Sequence, residues 1–137
     1  MTLTLDHNAL SGRLPRALSC CRHSLKVLRL GHNRLTGPVD PLLLGQLTVL
    51  ETLQLNHNRF TGRIPEALTS MRSTLKDFAL SHNRLTGALP CEALGLMSEL
   101  QVLNLQQNEL TGHITSSLFK RTSNLRELSL GANSEWW

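Results

Sequence analysis

Leu50-Glu51-Thr52-Leu53-Gln54-Leu55-Asn56-His57-Asn58-Arg59-Phe60-Thr61-Gly62-Arg63-Ile64-Pro65 decides the fold. Counting Leu50 as place one, apolar residues fall at places one, four, six and eleven, and Asn58 at place nine. Moving 25 residues in either direction returns the same order. Leu25, Leu50, Leu75, Leu100 and Leu125 hold place one, and Leu28, Leu53, Phe78, Leu103 and Leu128 place four. Leu30, Leu55, Leu80, Leu105 and Leu130 hold place six. Asn8, Asn33, Asn58, Asn83 and Asn108 form a ladder at place nine, continued by Asn133. Thr-Gly follows Leu35, Phe60, Leu85 and Leu110 each time. Leucine supplies 31 of the 137 residues, and the repeat accounts for that excess. The frame spans residues 1–133, about five and a half coils of one repeat domain, and leaves 134–137 as a C-terminal tail.

One coil can be read physically. Leu28 and Leu30 alternate with Val27, Arg29 and Gly31, a short strand of period two with leucines on one face. The Asn after it stands where the chain turns away, and its amide can satisfy backbone groups opened by the turn. The Gly of Thr-Gly permits a bend that other residues resist. Glu66-Ala67-Leu68-Thr69-Ser70-Met71 suits a short helical turn on the far side. No coil can bury its leucines alone, so neighbours must stack into one core. The expected fold class is an α/β repeat solenoid. A parallel sheet lines its concave face, and six strands make that sheet roughly 29 Å long.

The order Leu-x-x-Leu-x-Leu-x-x-Asn-x-Leu resembles the leucine-rich repeat, whose period is about 20–29 residues. Phe60-Thr61-Gly62-Arg63-Ile64-Pro65 and Leu85-Thr86-Gly87-Ala88-Leu89-Pro90 resemble the plant-type repeat of receptor-like kinases, receptor-like proteins and polygalacturonase-inhibiting proteins. Asp40 and Thr115 stand where Pro15, Pro65 and Pro90 carry the plant-type proline, and no Cys-bearing cap flanks the repeats. The resemblance implies a horseshoe segment that recognises a protein or peptide without catalysis, as part of a receptor-like ectodomain in signalling. Two other roles stay open: inhibition of a secreted cell-wall hydrolase, or assembly by stacking through uncapped ends. Trp136 and Trp137 are expected either to cover the last coil or to fray.

The outward strand places carry the candidate contacts. Arg29, Gln54 and Asn56 are polar members of places five and seven, and no large apolar residue shares those places. Such a surface favours hydrogen bonding. Place eight holds His7, His32, His57 and His82, and place ten holds Arg34, Arg59 and Arg84. These columns are expected as parallel basic stripes at one edge of the concave face, fit for a carboxylate or an acidic peptide. Duplication of a surface residue would produce the same columns. A pH response of stacked imidazoles is physically allowed. A straight ladder cannot surround an ion, so no metal and no cofactor are expected.

Other classes fall away on composition. Net charge is +4, aromatics are 4% and Tyr is absent, which leaves no base-stacking platform, so no nucleic-acid partner is expected. No run of 18 apolar residues exists, so no membrane insertion is expected. No phosphate loop, nucleophile elbow or His-Glu-x-x-His is present, and no catalytic residue is assigned. Cys20, Cys21 and Cys91 are expected as buried or half-buried thiols, Cys91 lying three coils away and beyond disulfide reach. The compartment stays open. The resemblance points to the cell surface, whereas nine Asn without one Asn-x-Ser/Thr, unpaired Cys and no signal peptide point to the cell interior or to a piece of a longer chain.

Overall fold

Every leucine at places four and six from Leu28 to Leu105 is buried, as are Phe60 and Phe78. The computed structural model that shows this describes residues 1–136; Trp137, with its expected part in covering the last coil, lies outside the described residues. In chain order the strands are β1 (Thr2–Thr4), β2 (Ser11–Gly12), β3 (Val27–Arg29), β4 (Arg34–Pro38), β5 (Thr52–Gln54) and β6 (Arg59–Gly62). They continue as β7 (Asp77–Ala79), β8 (Arg84–Ala88), β9 (Val102–Asn104), β10 (Glu109–Gly112), β11 (Glu127–Ser129) and β12 (Glu135–Trp136). Two short α-helices, α1 (Pro41–Leu44) and α2 (Cys91–Leu94), alternate with 3₁₀ turns at Arg16–Cys21, Glu66–Met71 and Ser116–Phe119.

The odd-numbered strands form one parallel sheet in the order β1-β3-β5-β7-β9-β11. Its register is the sequence period itself: Leu3 pairs with Leu28, Leu28 with Leu53 and Leu53 with Phe78, so every leucine stacks on its counterpart. A slip of one residue would turn all of them to solvent, which is why the register is so firmly specified.

The even-numbered strands form a second parallel sheet, β2-β4-β6-β8-β10-β12, which the sequence reading treats only as a bend. Its register is sheared: Thr36 pairs with Arg59 and Thr61 with Arg84, two residues short of the period. The glycines do adopt the left-handed backbone expected of them, with φ of 78° at Gly37 and 77° at Gly62. The strands form through that bend because Leu35, Phe60 and Leu85 point into the core while Thr36, Thr61 and Thr86 point out, the alternation a half-buried strand needs. Beyond Asn133, in the stretch read as a tail, Glu135–Trp136 adds the last short strand. The Trp136 indole packs against the core and donates to the Leu130 carbonyl at 3.1 Å.

The helical side has a two-coil rhythm. α1 and α2 are followed by Gly45 and Gly95, and the intervening coils carry no glycine there and form 3₁₀ turns. Asp40, standing in the proline place, caps α1 by accepting from the Leu42 N–H at 2.9 Å. Cys91 is buried and Cys21 half-buried, as expected; Cys20 is exposed, against the expectation of a buried or half-buried thiol, at a place where Gly45 and Lys120 are exposed as well.

The asparagine ladder ties the coils together. Asn58 lies buried; its Nδ2 donates to the Leu30 carbonyl at 2.9 Å and the Leu55 carbonyl at 3.1 Å, and its Oδ1 accepts from the Leu35 N–H at 2.9 Å. Asn33, Asn83, Asn108 and Asn133 repeat the arrangement. Asn8 has only carbonyls of its own coil, those of Leu5 and Asp6.

Candidate recognition surface

Outward residues of the first sheet stand in three columns, because a strand shows every second side chain to one face. Arg29, Gln54 and Asn56 lie on this face as expected. Asp77 and Glu127 lie there too, at place three, which a reading of places five and seven alone passes over; the period-two alternation contains the signal. Gln54 Nε2 donates to Asp77 Oδ2 at 2.6 Å, across adjacent strands. Burial pushes the Asp77 carboxyl up, and Glu127 adds to that, while Gln54 and the more distant Arg29 pull it down. The result is a half-buried carboxylate in mid-face with a fixed amide beside it and lone pairs left for an incoming donor. Next to this face, Lys26 and Lys76 both pair with Glu51, at 3.2 and 2.8 Å.

The two basic columns do not lie together. Arg34, Arg59 and Arg84 open β4, β6 and β8, so they belong to the second sheet and are exposed there. The histidines sit in the turn between the sheets. His7, His32, His57 and His82 all have φ of 53–55°, as do Gln107 and Ala132 at the same place. Non-glycine residues seldom adopt that backbone, and His is among those enriched in it, so the turn itself favours His at this place. The rings stack at centroid separations of 4.2, 4.1 and 3.8 Å, tilted by 12–15°. Parallel rings cannot converge on one ion, and no group of three or more His, Cys, Asp or Glu among the described residues is placed to hold a metal ion.

Stacking has an electrostatic consequence. Burial, then the neighbouring His82, His32 and His7, lower the His57 pKa from its ordinary 6.5. A base whose folded pKa is depressed binds its proton more weakly when folded. Its stabilising contribution is present above the unfolded value and is lost as pH falls through the folded one. Thermal unfolding is therefore expected at lower temperature at pH 5 than at pH 7.5. Asn tolerates the left-handed backbone, so a variant with His7, His32, His57 and His82 all changed to Asn should lose that dependence. A wild-type midpoint equal at both pH values would contradict this.

The architecture by itself defines a class of protein. It is a parallel-sheet solenoid whose stacked leucines form the core and whose outward strand residues are left at the surface. The Leucine Rich Repeat family model matches residues 24–46, 49–71 and 99–120. A chain of the BIR3–SERK2 complex from Arabidopsis thaliana is 31% identical with a TM-score of 0.87, over 98% of this chain and 68% of that one. The ectodomain of the plant membrane receptor kinase GASSHO1/SCHENGEN3 from Arabidopsis thaliana, solved with CASPARIAN STRIP INTEGRITY FACTOR 2, is 35% identical with a TM-score of 0.91. It is matched over 98% of this chain but 16% of its own. The Arabidopsis receptor kinase HAESA ectodomain, in complex with an IDA peptide hormone ligand, is 28% identical with a TM-score of 0.70, over 92% of this chain and 24% of that one. No curated protein matches the sequence. The chain belongs to the leucine-rich-repeat family, in the form seen in plant receptor-kinase ectodomains. No helix among the described residues is long and apolar enough to cross a membrane.

Proposed function

We propose that the chain recognises a peptide, or an extended segment of a protein, on the outward face of its first sheet, without catalysis, as part of a receptor-like ectodomain. The observation that carries this reading is the Gln54–Asp77 pair at 2.6 Å in the middle of a face that also holds Arg29 and Asn56. That face offers donors and acceptors of both charges on a rigid sheet, the pre-organisation that keeps the entropic cost of binding low. The peptide-hormone complex of HAESA supports it by likeness. The ligand expected here has mixed charge: a cationic or N–H donor group for Asp77 and a carboxylate for Arg29.

The test is selection of random twelve-residue peptides on the immobilised chain, followed by affinity measurement on a variant with Ala at 29, 54 and 77. Binding of selected peptides is expected to weaken about 30-fold, roughly 2 kcal/mol, the loss of one charge-assisted bond and one neutral one. A variant with Ala at Arg72 and Arg121, exposed on the helical side, should bind as wild type. Peptides insensitive to the face variant would overturn the reading.

A further inference from the structure

The second sheet is the most strongly charged surface of the molecule. Exposed arginines stand on it at Arg34, Arg59 and Arg84 and just past β2 and β6 at Arg13 and Arg63, while its carboxylates are Glu109 in β10 and Glu135 in β12. The remaining nine basic and eight acidic residues nearly cancel, so this sheet and its margin carry three of the chain's four net positive charges. None of the five arginines joins an ion pair among the described residues; the pairs formed use Arg16, Lys26 and Lys76. Like charges gathered on one face repel one another and gain nothing from folding, which leaves them available to an outside partner.

The sheared register gives the arginines a spacing. Ser11 pairs with Arg34, Thr36 with Arg59 and Thr61 with Arg84. Each arginine of the column is thus one strand across and two residues along from the last, a step of about 8 Å. An extended peptide puts alternate side chains on one face about 6.7 Å apart, within side-chain reach of that step. Arg13 and Arg63 flank the line with fixed stems. A Cβ on Gly37 would lie 3.0 Å from Arg13 Cγ, and one on Gly87 2.8 Å from Arg63 Cγ, so each stem lies across a glycine of the next strand. Guanidinium forks take carboxylates in pairs of hydrogen bonds. The arginine-bearing strands expose no Phe, Tyr or Trp, since Phe60 is buried, so single-stranded bases find no stacking platform. They expose no Leu, Ile or Val either, so a bilayer finds no apolar wedge.

We propose that the second sheet is a docking surface, separate from the first-sheet face, for an extended acidic segment of a partner protein with carboxylates at alternate residues.

Fluorescence anisotropy with a labelled decapeptide of alternating Glu and Thr tests this. The expected result is saturable binding that weakens about tenfold or more when Arg34, Arg59 and Arg84 become Ala together, and by less for Arg59→Ala alone. All three are exposed and mutually repelling, so the unfolding temperature should not fall. A variant with Ala at Lys26 and Lys76 removes two positive charges elsewhere and should bind as wild type. The proposal is overturned by any of three results: the arginine variant binds equally well; the lysine variant loses as much affinity; or a peptide with its glutamates in one block, duplex DNA or hyaluronate binds as tightly as the alternating peptide.

Discussion

Asn58→Ala is expected to cost about 3 kcal/mol, a large share of the roughly 5–15 kcal/mol that holds a domain together. The number follows from what each partner retains. The Leu30 carbonyl still accepts from Asn33 at 3.0 Å, and the Leu55 carbonyl from Asn83 at 3.0 Å, so both lose one of two bonds. The Leu35 N–H loses its side-chain acceptor in a buried strand, and an orphaned buried donor costs about 1–3 kcal/mol. Asn58→Asp should be worse at pH 7, because its second oxygen would face two carbonyl oxygens while carrying charge. Asn8→Ala is the contrast: Asn8 is exposed and bonds only within its own coil, so about 0.5 kcal/mol is expected. Urea unfolding of the three variants measures this. Equal midpoints for Asn8→Ala and Asn58→Ala would remove the ladder from the account of stability.

Gly95→Ala should be at least as damaging, through backbone contact. A Cβ on Gly95 would overlap the Ser117 carbonyl oxygen and lie 2.8 Å from its carbon. Ser117 belongs to the next coil, whose Arg121 N–H donates to the Gly95 carbonyl at 2.9 Å. The obstacle is main chain and cannot rotate away, so the two coils must separate. We expect a loss of more than about 3 kcal/mol. In a stack stabilised by nearest neighbours the damage should also split the transition, with the last coil melting first and a smaller denaturant slope. Gly131→Ala, with nothing within 4 Å of the added carbon, should be neutral. A Gly95→Ala protein as stable as Gly131→Ala would show that the coils can shift without loss.

The leucine and asparagine columns were legible because a 25-residue period copies itself into register: Leu28 beside Leu53 is both a sequence and a spatial statement. The second sheet was not, because its strands run through Gly37 and Gly62, residues that ordinarily mark a break, and pair two residues out of step with the period. That shear is also why the arginine column, one stripe in sequence, runs diagonally. Place ten lies across a turn from place seven, so Arg34 and Arg29 occupy different sheets although five residues separate them. The histidines illustrate a further limit. Their repetition is visible in sequence, but the left-handed φ that favours His there is not, and Gln107 and Ala132 adopt it without any imidazole. Arg29, Gln54 and Asn56 were readable as outward residues from alternation alone; Asp77 needed the same count taken one column further.

The central claim is that recognition occurs on the first sheet. Photo-crosslinking tests it most directly, using a selected peptide that carries a benzophenone side chain and peptide mapping of the adducts. The account predicts adducts within residues 27–31, 52–56 and 77–81, lost on the variant with Ala at 29, 54 and 77. Adducts concentrated at 41–47, 66–72 and 91–97, on the helical side, would contradict it.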